Sequence, residues 1–151
     1  MKKLLQLSFI PCSADFALLV LRLWLGLTLF FNHGLGKLVH FSQTVSYFSN
    51  VHLDPIGVGA TGTVAIAVLA EVVCAALLVV GVATRFAALF IAIELAVAFF
   101  MVHHAALAMG PGSGELAFTY LAGFMTIVLA GGGRFVMCKQ TNDVAATPAA
   151  S

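Results

Sequence analysis

Four solid apolar runs divide the chain: roughly Phe16–Phe31, Gly57–Val82, Phe86–Val102 and Leu116–Val136. None alternates between apolar and polar positions, so they predict helices rather than the short amphipathic strands of a membrane barrel. A helix needs about 20 residues to cross the hydrocarbon layer. The first and third runs reach that only by borrowing neighbours such as Ala14 and Ala105. Between the second and third runs stands only Ala83-Thr84-Arg85, which predicts a tight antiparallel hairpin. The first connection, about His33 to Pro55, is long, and the third, His103 to Glu115, contains the flexible Gly110-Pro111-Gly112-Ser113-Gly114. The pattern therefore predicts an all-α integral membrane four-helix bundle over residues 15–136. A cytoplasmic segment, 1–14, precedes it, and a small polar tail, 137–151, whose composition marks it as disordered, follows.

Composition points the same way. Of 151 residues, 62% are hydrophobic and 9% charged, and the mean hydropathy is +1.09. A soluble domain carries about 25% charged residues, and a chain this small has too much surface to hide its apolar excess in a core. The net charge of +1, with no basic patch, argues against a nucleic-acid partner. Cys12, Cys74 and Cys138 lie far apart, with no CxxC pair, and predict neither a disulfide framework nor thiol catalysis. Met1-Lys2-Lys3-Leu4-Leu5 has the look of a secretory signal, but Pro11 and Asp15 interrupt the apolar stretch after it, and no small-residue cleavage site precedes Phe16. A retained first helix is the expectation.

Lys2, Lys3, Arg85, Arg134 and Lys139 fall on one side of such a bundle and only Lys37 on the other. Positive residues stay cytoplasmic, which predicts both termini in the cytoplasm of a multi-pass bacterial inner-membrane protein. All five histidines, with Asp54 and Glu115, then fall at or near the outer face.

Arg22, Glu71 and Glu94 lie well inside the first three runs. A charge at mid-bilayer costs roughly 2.5–3.5 kcal/mol on insertion scales, so each asks for a reason. One is a structural ion pair of Arg22 with Glu71 or Glu94; the other, compatible with it, is a polar pocket for a headgroup or a proton relay. At about 100° per residue, Asp15, Arg22, Gly26 and His33 share a narrow stripe of the first helix, with Lys37 and His40 near the same line if the helix continues. Glu115, Thr119, Ala122 and Thr126 form a second polar or small stripe on the last helix, and Glu94 shares a face with Ala87, Ala98 and Ala105. Two buried acids against one buried base leave one acid to hold a proton. His103 and His104 are the candidate metal ligands, but adjacent helical residues diverge by about 100°. A site would need one of them joined by His33, His40 or Glu115, and a metal is not expected.

These residues resemble those of DoxX-like membrane proteins. The likeness is carried by Arg22-Leu23-x-x-Gly26 and Gly34-x-Gly36-Lys37-Leu38 around the first helix. It continues in Glu71-Val-Val-Cys-Ala-Ala-Leu77-x-x-x-Gly81-x-x-Thr84-Arg85, and in Glu115 and Gly131-Gly132-Gly133-Arg134 at the two ends of the last helix. It spans about residues 15 to 135. The Ser-Leu-Asp that often comes after the family's closing glycines is replaced here by Phe135-Val136-Met137 after Arg134. The resemblance implies a four-helix membrane subunit of the kind linked, in some members, to quinone-coupled oxidation of reduced sulfur compounds. Other members accompany thiol-oxidative stress systems or the biosynthesis of metal-binding peptides. It puts Arg22, Lys37, Glu71 and Glu115 around a polar site, to which the stripe and charge arguments add His33 and Glu94.

Three functions compete. In the first, the chain is a membrane subunit of a quinone-linked oxidoreductase, with the headgroup near Arg22 and Glu71. It has no haem, flavin or iron–sulfur ligand set, so electrons come from a protein partner. In the second it is a non-catalytic anchor or assembly subunit. In the third it transports a small solute or metal, which four helices achieve only as a homo-oligomer, and broken helices and inverted repeats are missing. A stand-alone enzyme is disfavoured, since no nucleophile–base arrangement or HExxH spacing occurs.

Overall fold

A computed structural model describes residues 13–107 and 113–137. The expected N-terminal segment and the tail, with Cys12, Cys138, Lys2, Lys3 and Lys139, lie outside the described residues, as does most of the expected glycine-rich turn. The described residues are helical and contain no strand.

The order is α1 (Ala14–Val39), α2 (Phe41–Asn50), α3 (Gly59–Val80), α4 (Thr84–Val102) and α5 (Glu115–Ala130). Helices α1, α3 and α4 have 26, 22 and 19 residues and are long and apolar enough to cross a membrane. Helix α5 is apolar too, with 16 residues, about 24 Å at 1.5 Å per residue. α1, α3, α4 and α5 form a ring in that order, each packed on its two neighbours, with the α4–α5 contact the most extensive.

The outside of this ring is apolar. Phe16, Trp24, Phe86, Ile93, Phe100 and Leu129 are more than half exposed, while Arg22 and Glu71 are almost fully buried. That inversion of the soluble pattern is what lipid demands: the hydrocarbon accepts the large apolar side chains, and polar groups must find partners inside. The chain is a membrane protein.

Two expectations change in the first connection. The first helix does not stop at Phe31; it runs on to Val39, and only His40 (φ −104°, ψ 35°) interrupts it before α2. Phe41, Thr44, Val45 and Phe48 are the half-covered positions of α2, spaced as one face of an amphipathic helix, and the helix packs on the first half of α3. What the apolar runs mark as a loop is thus mostly helix. Asp54 then starts α3: its carboxylate accepts the backbone N–H groups of Val58 (3.0 Å) and Gly59 (2.8 Å) and the Thr63 hydroxyl (3.0 Å). These bonds to the ionised form hold its pKa below the ordinary carboxylate value, the Gly59 N–H most of all.

The α3–α4 turn is as tight as the spacing predicts, with Gly81 at φ +87° and Ala83 at φ +46°. Beyond α5 the chain leaves helical geometry at Gly131, short of the predicted end of the run at Val136, and folds as an irregular clasp over one end of the ring. Arg22 donates from Nη2 to Phe135 O (2.7 Å) and from Nη1 to Gly132 O (3.4 Å). Arg85 reaches Leu129 O (3.1 Å), the Arg134 N–H reaches Asp15 Oδ1 (3.0 Å) and the Met137 N–H reaches Gly81 O (3.1 Å). The closing glycines permit this, Gly131 and Gly133 having φ of +83° and +71°.

Candidate functional site

The site begins where α1 crosses α3. A Cβ on Gly34 would stand 2.6 Å from the Glu71 carbonyl oxygen, and one on Gly26 would stand 2.7 Å from Val79 Cγ2. Two glycines eight residues apart thus let the helices approach closely, in an antiparallel register that sets residue 34 against 71 and 26 against 79. One turn past Gly34, Lys37 Nζ reaches Glu71 Oε1 at 2.5 Å. The Glu71 side chain is 5% exposed and that of Lys37 26%. Without the amine, the carboxylate would be an uncompensated buried charge.

This register overturns the expected pairing of Arg22 with Glu71 or Glu94. Fifteen residues of helix, about 22 Å, separate Arg22 from Lys37 along α1, and Arg22 lies at the Gly81 end of α3, where its guanidinium serves backbone carbonyls of the clasp.

Wide turns surround the Lys37 end. α1, α3 and α4 each contain a π-helical turn, at Phe30–Gly34, Leu69–Cys74 and Ala98–Val102. Such turns accommodate an extra residue, re-aim the side chains after it, and cluster at functional sites. Here all three border one cavity of about 290 Å³: His33 comes from the first, Glu71 from the second and Ala98 from the third. Glu94, His103 and Tyr120 complete its polar wall, and Leu29, Leu95 and Leu116 its apolar one. The His33 and Tyr120 rings meet edge to face, centroids 6.1 Å apart, a favourable arrangement for two aromatic rings.

The cavity's hydrogen bonding is one-sided. Glu71 gives one oxygen to Lys37, but Glu71 Oε2 and Glu94 Oε2 are buried with no hydrogen-bond partner among the described residues. One amine therefore faces two carboxyl groups. The set can hold a small polar ring or headgroup by hydrogen bonds and can exchange protons with it.

Of the residues singled out from the sequence, His33, Lys37, Glu71, Glu94 and His103 line this cavity; Arg22, Glu115 and His104 do not. Glu115 is exposed at the start of α5, where Ser113 and Leu116 on either side reach the cavity instead. His104 is exposed with φ +49°, outside helical geometry. Among the described residues no three of His, Cys, Asp and Glu are grouped to hold a metal ion. The Glu115–Thr119–Ala122–Thr126 stripe faces outward. Thr119 and Thr126 bond back to Glu115 O and Ala122 O, both at 2.9 Å, so their hydroxyls need nothing from the bundle.

Sequence reasoning missed Ser113 and Tyr120. Tyr120 does carry a signal: with Phe124 and Ile127, both fully buried, it marks an i, i+4, i+7 face, the face that packs inward.

A second, open groove of about 490 Å³ lies outside the first, between the end of α1 and α2. It shares His33 and Lys37 with the cavity and adds His40, Gln43, Thr44 and Tyr47.

In comparison with known proteins, the family model described as DoxX matches residues 17–104, more than half of the chain. No curated protein and no solved structure matches.

Proposed function

Since the chain belongs to the DoxX family, we propose that it is the membrane subunit of a quinone-linked redox system, with the headgroup held in the Lys37–Glu71 cavity rather than beside Arg22. The observation that carries this reading is the cavity itself, where two buried carboxyl oxygens have no hydrogen-bond partner among the described residues. At about 290 Å³ it stands just below the usual range of small-molecule sites, roughly 300–1,000 Å³, which suits a single ring and not a macrocycle or a dinucleotide. Leu29, Leu95 and Leu116 give such a ring apolar walls. Lys37, His33 and Tyr120 can position its oxygens, and Glu71 and Glu94 can hold protons. A bound quinone would supply the two-electron chemistry that the chain's own side chains lack, and a protein partner would deliver the electrons. The open groove offers the approach from outside, because His33 and Lys37 form a wall common to both spaces.

Topology belongs to the same proposal. Arg85 and Arg134 stand at the clasp end, opposite Lys37, which by the positive-inside rule puts the clasp in the cytoplasm and the cavity toward the outer face of the bacterial inner membrane. Helix α5 then crosses with help from its flanking residues.

The test is gentle detergent purification of the tagged protein from its native membrane, with solvent extraction of the eluate and identification of co-purifying proteins. Quinone near stoichiometry in the wild type, lost in Glu71→Gln but kept in Arg22→Ala, is the expected result. A wild-type protein that carries only phospholipid and no redox partner would overturn the proposal.

A further inference from the structure

The donor and acceptor balance of the cavity says which redox form of a ring it suits. Two buried polar atoms that have no hydrogen-bond partner among the described residues, Glu71 Oε2 and Glu94 Oε2, belong to carboxyl groups on neighbouring helices, α3 and α4. Glu71 is 4% exposed. Each carboxyl group keeps an acceptor oxygen whether or not it holds a proton, and an ionised one only accepts; each unmet buried acceptor is costly, more so when charged. The Lys37 amine donates to Glu71 Oε1, and neither it nor any other described residue donates a hydrogen bond to Glu94 Oε2. A ring bearing carbonyls would bring only acceptors, which the one protonated carboxyl alone could serve, and would leave the ionised carboxylate's oxygen unmet. A ring bearing hydroxyls brings the missing donors.

Resting on the reading above, we propose that this cavity selects the dihydroxy form of its ring ligand, a quinol, over the corresponding quinone, with Glu94 and Glu71 as the hydrogen-bond acceptors. Glu94 is then a specificity residue: its oxygen takes the hydrogen of one ring hydroxyl, and Glu71 Oε2, on the neighbouring helix α3, is available to a second. The preference is a property of binding and requires no electron transfer.

The experiment titrates the purified full-length protein anaerobically with a short-tailed benzoquinol and, separately, with the matching benzoquinone. Hydrogen bonds to charged groups are worth about 1.5–3 kcal/mol, so quinol should bind at least about tenfold more tightly. In Glu94→Gln the new amide donates to a carbonyl, and the preference should fall to within about threefold. The wild-type comparison needs no variant to fold, and the variant is read only if it elutes as the wild type does. Quinone binding as tightly as quinol overturns this inference and leaves the functional reading standing. A quinol preference unchanged in Glu94→Gln also overturns it, since other groups would then select the ring. Failure of the wild type to bind either form defeats the functional reading, and the inference with it.

Discussion

Lys37 Nζ and Glu71 Oε1 are joined at 2.5 Å across the α1–α3 crossing, 34 residues apart in the chain. The pair exists because Gly34 lets α1 lie against the Glu71 backbone, so a close approach, an ion pair and one wall of the cavity have a single origin.

Breaking that pair from one side should be worse than removing it whole. Lys37→Met leaves Glu71 buried and uncompensated, a loss of about 3–5 kcal/mol in comparable buried pairs. The double variant Lys37→Met/Glu71→Leu should recover most of it, because two apolar groups leave no charge behind. Reversible unfolding in mixed detergent micelles would give the double-mutant cycle; strictly additive losses would show that the two residues are not coupled.

The two glycines of Gly34-x-Gly36 should behave differently. A methyl at Gly34 meets the Glu71 carbonyl, whereas nothing lies within 4 Å of one at Gly36. Gly34→Ala should cost about 1–3 kcal/mol, as overpacking does, and should also weaken ligand retention by separating Lys37 from Glu71. Gly36→Ala should stay within about 0.5 kcal/mol of wild type. The same unfolding measurement separates them.

Arg22 should matter at the other end. Replacing it with leucine removes the donors to Gly132 O and Phe135 O, so amide hydrogen exchange across residues 131–137 should quicken. Exchange in the Leu69–Cys74 turn should not change. Equal acceleration in both segments would mean that Arg22 holds the whole bundle rather than the clasp.

Asp54 contributes a pH dependence with a definite sign. Its folded pKa lies below the ordinary 3.8, so its stabilisation is present above that value and is lost as the pH falls through the lowered folded pKa. Asp54→Asn should therefore be less stable than wild type near neutrality, and the difference should shrink below pH 3.8. Thermal unfolding of both proteins from about pH 6 to about pH 3 checks it; a gap that widens in acid would contradict the sign.

Helix α5 supplies a contrast of faces. Tyr120→Ala should weaken ligand retention, because its ring packs on His33 and lines the cavity. Thr126→Val, on the exposed face, should leave retention and stability unchanged. Quinone content of the purified variants decides between the two faces.

The apolar runs by themselves determined the four apolar helices, a tight turn between the second and third runs, the membrane setting and the need to shelter Arg22, Glu71 and Glu94, because hydropathy and local spacing are properties of the chain alone; they did not mark α2, the extension of α1 to Val39, or the shift of the turn to residues 81–83. The inward stripe of α1 through Arg22, Gly26 and His33 was legible for the same reason. The partners were not. Whether Glu71 meets Arg22 or Lys37 depends on the register of two antiparallel helices, and that is set by the close approaches at Gly26 and Gly34. The inward face of α5 was marked only by the Tyr120, Phe124 and Ile127 spacing, which does not stand out when the lipid-facing and the core-facing sides are both apolar; its polar stripe could therefore turn outward, with the threonine hydroxyls bonded to their own helix. The three π-helical turns, which bring His33, Glu71 and Ala98 to one cavity, leave no mark in composition or periodicity. They arise where helices pack, and only the packed structure decided where they fall.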